Sequence, residues 1–541
     1  VKRFVGLAGG MAVLAVCVVP SSVGAEAASR PVAETVPEAA RDVVPARVAW
    51  GACPKQAEGK FGEVAKRLGA ECGTVRVPLD HRQPWGHALR LSVNRIKAKV
   101  PRDGNHLGVL LVNPGGPGAS GRDLAVFVAA MLPKELRERY DIVGFDPRGV
   151  GASTPALRCV DPEVYYKPPR PDAVPGSRAA ENVLLSRAAH YANRCGQSWS
   201  WLLPHMNTEN VARDLDVIRA ALGEQRISYL GYSYGTYIGA VYATLFPNRV
   251  KRLVLDSSVA PDGDWYRSNM AQDRAFEKRH RALMAWAARH NRVYKLGATA
   301  RQTRFAWYAM RSRLAERPAG GVVGPSELDD TFTIAGYSDR VWPELVAAWS
   351  AYVRKGNVKP LVAAWEKHGK NDAEDENGYA VYLAIQCRDS QWPRDWNRWR
   401  RDMTQLHRDA PFMTWPNAWF NAPCAFWPVR GGEPVRVRGS YRLPPILMLQ
   451  ARGDAATPYA GALRMRGRFP TARMVVEGGG EHGVSLAGNA CVDRHLVAYL
   501  KDGTVPPQGT RCAAKPEPRP KAGMRAAARS GQESLTDVLA R

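Results

Sequence analysis

Acidic residues are scarce in this chain. Its 541 residues carry 51 Asp and Glu against 76 Lys and Arg, a formal charge of +25. Such an excess taken alone points to nucleic acid, an anionic surface or an acidic partner. Other absences narrow the field. Beyond the extreme N-terminus no apolar run reaches the roughly 20 residues that a membrane-spanning helix needs, which excludes a multi-span membrane protein. No CxxC or Cys/His ligand spacing occurs, so neither structural zinc nor any other metal site is expected. No dinucleotide fingerprint appears, and the glycine-rich stretch Asn113–Gly118 lacks the Lys-Ser/Thr of a phosphate loop. No cofactor is expected. The composition that remains, 45% hydrophobic and 23% charged, is globular.

The ends read differently from the middle. Lys2 and Arg3 precede a mostly apolar stretch from Phe4 to Pro20, followed by small residues to Ala25. That is the pattern of a secretory signal peptide over residues 1–25, and a Val at position 1 fits an alternative start codon. Leu14-Ala15-Val16-Cys17 comes close to a lipoprotein box, but Val16 is bulkier than the small residue expected before a lipidated cysteine. Residues 26–48 read as a linker. Residues 513–541, rich in Pro, Ala, Arg and Ser, read as a loose basic tail. Eight cysteines remain after Cys17: Cys53, Cys72, Cys159, Cys195, Cys387, Cys424, Cys491 and Cys512. An even number in an exported chain implies disulfides, and their grouping into four sequential couples makes neighbour pairing the economical expectation. The protein is therefore expected to be extracellular, either free or held at the cell surface.

Between these ends, apolar runs alternate with helical periodicity. Leu89–Ile96, Leu107–Val112, Tyr140–Phe145, Ile227–Tyr232, Leu253–Asp256, Ile446–Gln450 and Met474–Val476 read as strands. Asp123–Arg139, Thr208–Leu222 and Tyr237–Phe246 read as helices. Strands alternating with helices predict an α/β fold with a mostly parallel sheet. The rhythm breaks in the middle of the chain, where helical spacing dominates and 12 of the 16 tryptophans fall. The expected domains are a core over 49–261 and 441–512, with an inserted, mainly helical cap over 262–440. Most of the cap tryptophans are expected to pack between its helices, the rest to line an apolar pocket.

Gly231-Tyr232-Ser233-Tyr234-Gly235 follows a strand and opens a helix, the context that turns a weak G-x-S-x-G pattern into a nucleophile elbow. A serine hydroxyl needs a base, and the base needs an orienting acid. In this fold the order along the chain is Ser, acid, His. Asp454 follows the Ile446–Gln450 strand, and His482 sits on a glycine-rich loop after Met474–Val476, so both belong at the sheet edge that carries Ser233. Ser233, Asp454 and His482 are the expected triad, with Glu481 the rival acid. The backbone N–H of Tyr234 is the expected first oxyanion donor. The loop Pro114–Gly118 is expected to supply the second, at Gly116 before Gly115, since Pro117 has no N–H. A serine at the elbow also excludes the Asp-nucleophile chemistry of epoxide hydrolases and dehalogenases.

These pieces carry a family resemblance. Glu71–Asp80, Asn113–Gly118, Asp146–Gly149, Gly231–Gly235, Ala384–Asp389, Asp454–Pro458 and Cys491–Cys512 stand in an order similar to α/β-hydrolases of the secreted actinobacterial tripeptidyl aminopeptidase type, related to proline iminopeptidases. Ala455-Ala456 departs from that family, which has Pro and a branched residue after the acid. The resemblance implies a serine exopeptidase that releases short peptides, tripeptides first among them, from free N-termini. Such an enzyme must hold an α-ammonium group, which calls for carboxylates. Residues 326–377 carry ten acidic and six basic residues inside a basic protein. Glu327, Asp329, Asp330, Asp339, Glu344 and, just beyond, Asp389 are the candidates. The elbow and triad alone imply only acyl transfer, so an esterase or lipase-like hydrolase, or a catalytically silent surface-binding protein of this fold, stands beside the peptidase reading.

The +25 gathers in no single segment. Residues 1–25 carry +2, the tail +3, residues 263–440 carry +9 and the rest +11. A nucleic-acid partner is therefore not expected. The charge suits solubility and weak attraction to an anionic cell wall.

Overall fold

The computed structural model describes residues 45–54, 62–370 and 372–521. The expected signal segment, Cys17 and the linker up to residue 44 lie outside the described residues. Ten strands form one sheet: β1 (Gly51–Ala52), β2 (Glu71–Pro78), β3 (Ala88–Ile96), β4 (Gly108–Asn113), β5 (Tyr140–Phe145), β6 (Ile227–Tyr232), β7 (Val250–Asp256), β8 (Ile446–Ala451), β9 (Ala472–Glu477) and β10 (Arg511–Cys512). Their order is β1-β2-β3-β5-β4-β6-β7-β8-β9-β10. The first three pair antiparallel and β3 meets β5 antiparallel; every pairing from β5 to β10 is parallel. Strands β5, β6 and β8 are buried at every residue, and so is β4 after Gly108. That explains why they read as continuous apolar runs rather than alternating ones.

The differences from the sequence expectation have local causes. β2 alternates buried and exposed side chains, but its Gly73 and Pro78 mask it as a strand. The helix expected over Asp123–Arg139 is two, Gly121–Met131 and Lys134–Arg137. Pro133 stands at the break, since it can donate no helical hydrogen bond. The helix expected from Tyr237 starts at Tyr234, directly after the elbow serine.

Between β7 and β8 the chain is helical, from Trp265–Arg289 to Pro423–Phe426. Its tryptophans are chiefly structural. Trp392, Trp399, Trp396, Trp419 and Trp415 form a ladder of near-parallel rings with centroids 4.7–5.8 Å apart. Trp286, Trp307, Trp342 and Trp349 are almost wholly buried in a second cluster.

Residues 513–521 are not loose. Lys515 Nζ donates to Ala487 O, Glu517 pairs with Arg289, Trp286 Nε1 donates to Pro518 O, and Lys521 N donates to the Tyr294 hydroxyl. Composition suggested a free tail because these are single polar contacts with no apolar periodicity to announce them.

The eight cysteines form neighbour pairs: Cys53–Cys72, Cys159–Cys195, Cys387–Cys424 and Cys491–Cys512, with Cα separations of 4.5–5.8 Å. No helix among the described residues is long and apolar enough to cross a membrane. Replacing both Cys387 and Cys424 by Ser should lower stability by about 2–4 kcal/mol through the freed unfolded chain. The urea midpoint measures this; an unchanged midpoint would mean that the crosslink does not form in the native protein.

Candidate active site

β6 ends at Tyr232 and the next helix begins at Tyr234, so Ser233 alone makes the turn. Its φ of 54° and ψ of −128° are strained for a residue with a side chain. The flanking glycines make this turn sterically feasible. A Cβ on Gly231 would lie 2.4 Å from Gly235 O, and one on Gly235 would lie 2.5 Å from Asn113 O. The Ser233 N–H donates to Asp256 O at 3.0 Å, and Thr236 Oγ1 donates to Ser233 O.

β8 and β9 carry the next two groups to the same edge. His482 Nδ1 lies 3.0 Å from both oxygens of Asp454. Asp454 also accepts the N–H and hydroxyl of Thr457 at 2.9 and 2.8 Å. An ionised carboxylate only accepts, so Nδ1 carries the proton and Nε2 is the free acceptor. That Nε2 is buried with no hydrogen-bond partner among the described residues. Ser233 is half-buried, while Asp454 and His482 are buried. Ala455 and Ala456, the departure from the resembling family, are packed into the helical insert's core, and Ala456 O accepts from Gln272 Nε2 at 2.6 Å.

The loop after β4 lies against the elbow. A Cβ on Gly115 would come within 2.7 Å of Tyr234 N. The Gly115 N–H is already given to Asn113 Oδ1 at 2.9 Å.

Sequence reasoning missed the residues that hold this edge together. Asp256, at the end of β7, accepts Val484 N, Ser485 N and Ser485 Oγ at 3.0, 2.8 and 2.5 Å, and the Ser257 hydroxyl as well. Burial pushes its carboxyl up to about 6 against the pull of those donors. Tyr337, from the helix Pro325–Tyr337, accepts the His482 N–H on its carbonyl at 2.8 Å and sets its ring edge-on to the imidazole, 5.2 Å away. Glu481 faces away from this pair. It accepts from Ser338 Oγ and Asp339 N and lies 3.5 Å from Lys515 Nζ, so it ties the histidine's loop to the insert. Only a long-range fold could reveal these contacts; no local motif marks them.

Five of the six carboxylates expected to meet a substrate amine are already paired with cations. Glu327 and Asp330 share Arg170, at 2.8 and 2.6 Å. Asp329 holds Arg311 at 2.8 Å, Asp339 holds Arg279, and Glu344 holds Lys367 at 2.8 Å and faces His368. Asp389 accepts from Thr208 and Trp265 instead. Another insert carboxylate, Asp273, is buried and accepts from the Asn417 amide at 2.8 Å, with no ion pair among the described residues. Cys491, His495 and Cys512 lie close enough together to suggest metal ligands, but both sulfurs are consumed in a disulfide.

A fold of this topology with an elbow serine is an α/β-hydrolase, and comparison of sequences agrees. Residues 108–488 match the family described as alpha/beta hydrolase fold, and the chain belongs to it. Tripeptidyl aminopeptidase of Streptomyces lividans is 45% identical over 458 residues, covering 83% of this chain and 85% of the relative. Serine protease Hip1 of Mycobacterium tuberculosis is 33% identical over 472 residues, covering 82% and 87%. Carboxylesterase B of the same species is 32% identical over 489 residues, covering 87% and 91%. Within the family the chain thus stands among serine hydrolases related to tripeptidyl aminopeptidase.

Asp273 gives a pH test of the insert. Burial pushes its carboxyl up to about 8, above the ordinary value near 3.9. The native state keeps this proton where the unfolded state releases it, so stability is lost as pH rises from about 4 to about 8. Asp273→Asn cannot ionise and should lose less stability than the parent across that window, read as urea midpoints at a series of pH values. Parallel slopes would show that Asp273 titrates normally.

Proposed function

We propose that the protein is a serine exopeptidase that releases short peptides, tripeptides first among them, from free N-termini through an acyl-enzyme. The observation that carries the acyl-transfer part of this reading is the placement of Ser233 after β6, Asp454 after β8 and His482 after β9, parallel strands of one sheet, with the histidine's Nδ1 on the aspartate and its Nε2 unpartnered. Ser233 Oγ attacks the scissile carbonyl while His482 Nε2 takes its proton. The N–H groups of Tyr234 and Gly116 receive the developing oxyanion. His482 then returns the proton to the departing amine, and water reverses the sequence to free the acyl peptide. Asp454 keeps the imidazole in the productive tautomer throughout.

The peptidase assignment leans on the 45% identical aminopeptidase and on the Hip1 protease. The carboxylesterase relative gives the ester reading its standing. For the ammonium group of a peptide, the insert carboxylates considered from sequence are the proposed docking groups. The four disulfides support export, with residues 1–25 as the proposed signal.

A tripeptide chromogen offered with a free and with an acetylated N-terminus tests the reading. The free form should be cleaved at least about tenfold better, the scale of one lost charged contact. Mass spectrometry should find intact tripeptide as product, and Ser233→Ala should abolish both. Equal cleavage of the blocked form, or esters cleaved where peptides are not, would replace the exopeptidase with an esterase. Failure of Ser233 to react with a fluorophosphonate would leave a silent fold.

A further inference from the structure

The residue after the nucleophile is held by a chain of hydrogen bonds that reaches into the helical insert. The Tyr234 hydroxyl lies 2.6 Å from Thr208 Oγ1. Thr208 Oγ1 lies 2.5 Å from Asp389 Oδ2, and the Thr208 N–H donates to Asp389 Oδ1 at 2.7 Å. Trp265 Nε1 donates to the same carboxylate at 3.3 Å, and the Trp265 ring packs 6.0 Å from that of Tyr234. Asp389 ends the helix Ala373–Asp389 and Trp265 starts the helix Trp265–Arg289, both in the insert. Thr208 opens the core helix Thr208–Ala221. All four side chains are buried, and Asp389 has no ion pair among the described residues.

The protons in this chain can be assigned. Burial pushes the Asp389 carboxyl up to about 6; above that pH it is ionised and only accepts, so the single hydroxyl proton of Thr208 points to it. The Thr208 oxygen must then accept the proton of Tyr234. The polarity runs Tyr234 to Thr208 to Asp389, and no member can reverse without leaving a buried group unpaired. Tyr234 therefore has one side-chain orientation, and its backbone sits in the first turn of the helix behind Ser233.

We propose that Asp389 and Thr208 are positioning residues that act through Tyr234 to aim its backbone N–H at the oxyanion. This inference rests on the acyl-transfer mechanism above. It makes docking of the insert a condition for a competent oxyanion hole rather than only a roof over it. An oxyanion donor matters more to the transition state than to the bound substrate, so loosening it should reduce kcat and spare KM.

The test uses the full-length enzyme and its Tyr234→Phe, Thr208→Val, Thr208→Ser and Asp389→Asn variants. Rates are measured on a free-amine tripeptide chromogen and on p-nitrophenyl acetate. Binding of a peptidyl boronate, which forms a tetrahedral adduct on the serine, reports the oxyanion site directly. Loss of a whole oxyanion donor costs about 10²–10³ in kcat. Tyr234→Phe and Thr208→Val are expected to lose about tenfold or more of kcat on both substrates. KM should stay within about threefold, and boronate affinity should fall by the same factor as kcat. Thr208→Ser should restore most of the rate. The double variant Thr208→Val/Tyr234→Phe should be no worse than the poorer single one, because both cut the same chain. Unchanged kcat and boronate affinity in the two single variants, with only the melting temperature reduced, would overturn the proposal. Additive losses would overturn it too. If Asp389→Asn does not fold, the Thr208 and Tyr234 variants decide alone. An enzyme that cleaves the ester but not the peptide fails the exopeptidase reading while leaving this inference testable on the ester.

Discussion

One residue bonds to two of the three loops that converge at the site. Asp256 closes β7, between the strand that delivers Ser233 and the strand that delivers Asp454. Its backbone oxygen receives the Ser233 N–H, and its carboxylate receives the N–H groups of Val484 and Ser485, just after His482. A strained serine turn and a glycine-rich histidine loop would each wander alone. Bonded to one buried acid, they share a frame. That acid is costly to bury, as its raised pKa shows. The structure tolerates it because three N–H or O–H groups of the histidine loop satisfy it in a fixed geometry.

The insert completes the frame from the other side. Tyr337 and the Ser338–Asp339 turn take the backbone of His482 and the carboxylate of Glu481. Lys515, from the segment that follows the last disulfide, reaches the same glutamate. The proposed base is thus seated between core and insert. The paired carboxylates of this region fit the same view. Glu327, Asp329 and Asp330 hold Arg170 and Arg311, partly buried ion pairs of the kind that fix one arrangement of helices more than they stabilise it.

Much of the fold was legible because its physics is local. β4, β5, β6 and β8 are buried on both faces and so read as apolar runs, and the glycines around Ser233 are imposed by contacts of 2.4–2.5 Å that no side chain could survive. Sequential order was enough to nominate Asp454 and His482. The cysteine couples paired with their neighbours, as economy suggested. The carboxylates were harder. Their sequence clustering says nothing about which arginine each one meets, and a charge run looks the same whether it faces a substrate or a guanidinium. Asp389 was nominated for an amine and instead receives a threonine and a tryptophan. Asp273, in a helix rich in basic residues, carried no signal at all.

The sequence by itself determined the alternation of strands and helices, the elbow, its serine and the order of the candidate partners, because each depends on periodicity, on glycine's missing Cβ or on chain direction. Only the tertiary structure decided which groups orient the histidine, which carboxylates remain without a cation, and how the insert is bonded to the elbow. Those depend on groups from separate elements, in several cases more than a hundred residues apart, meeting where they are buried, and there a hydrogen bond must be made because leaving it unmade costs more.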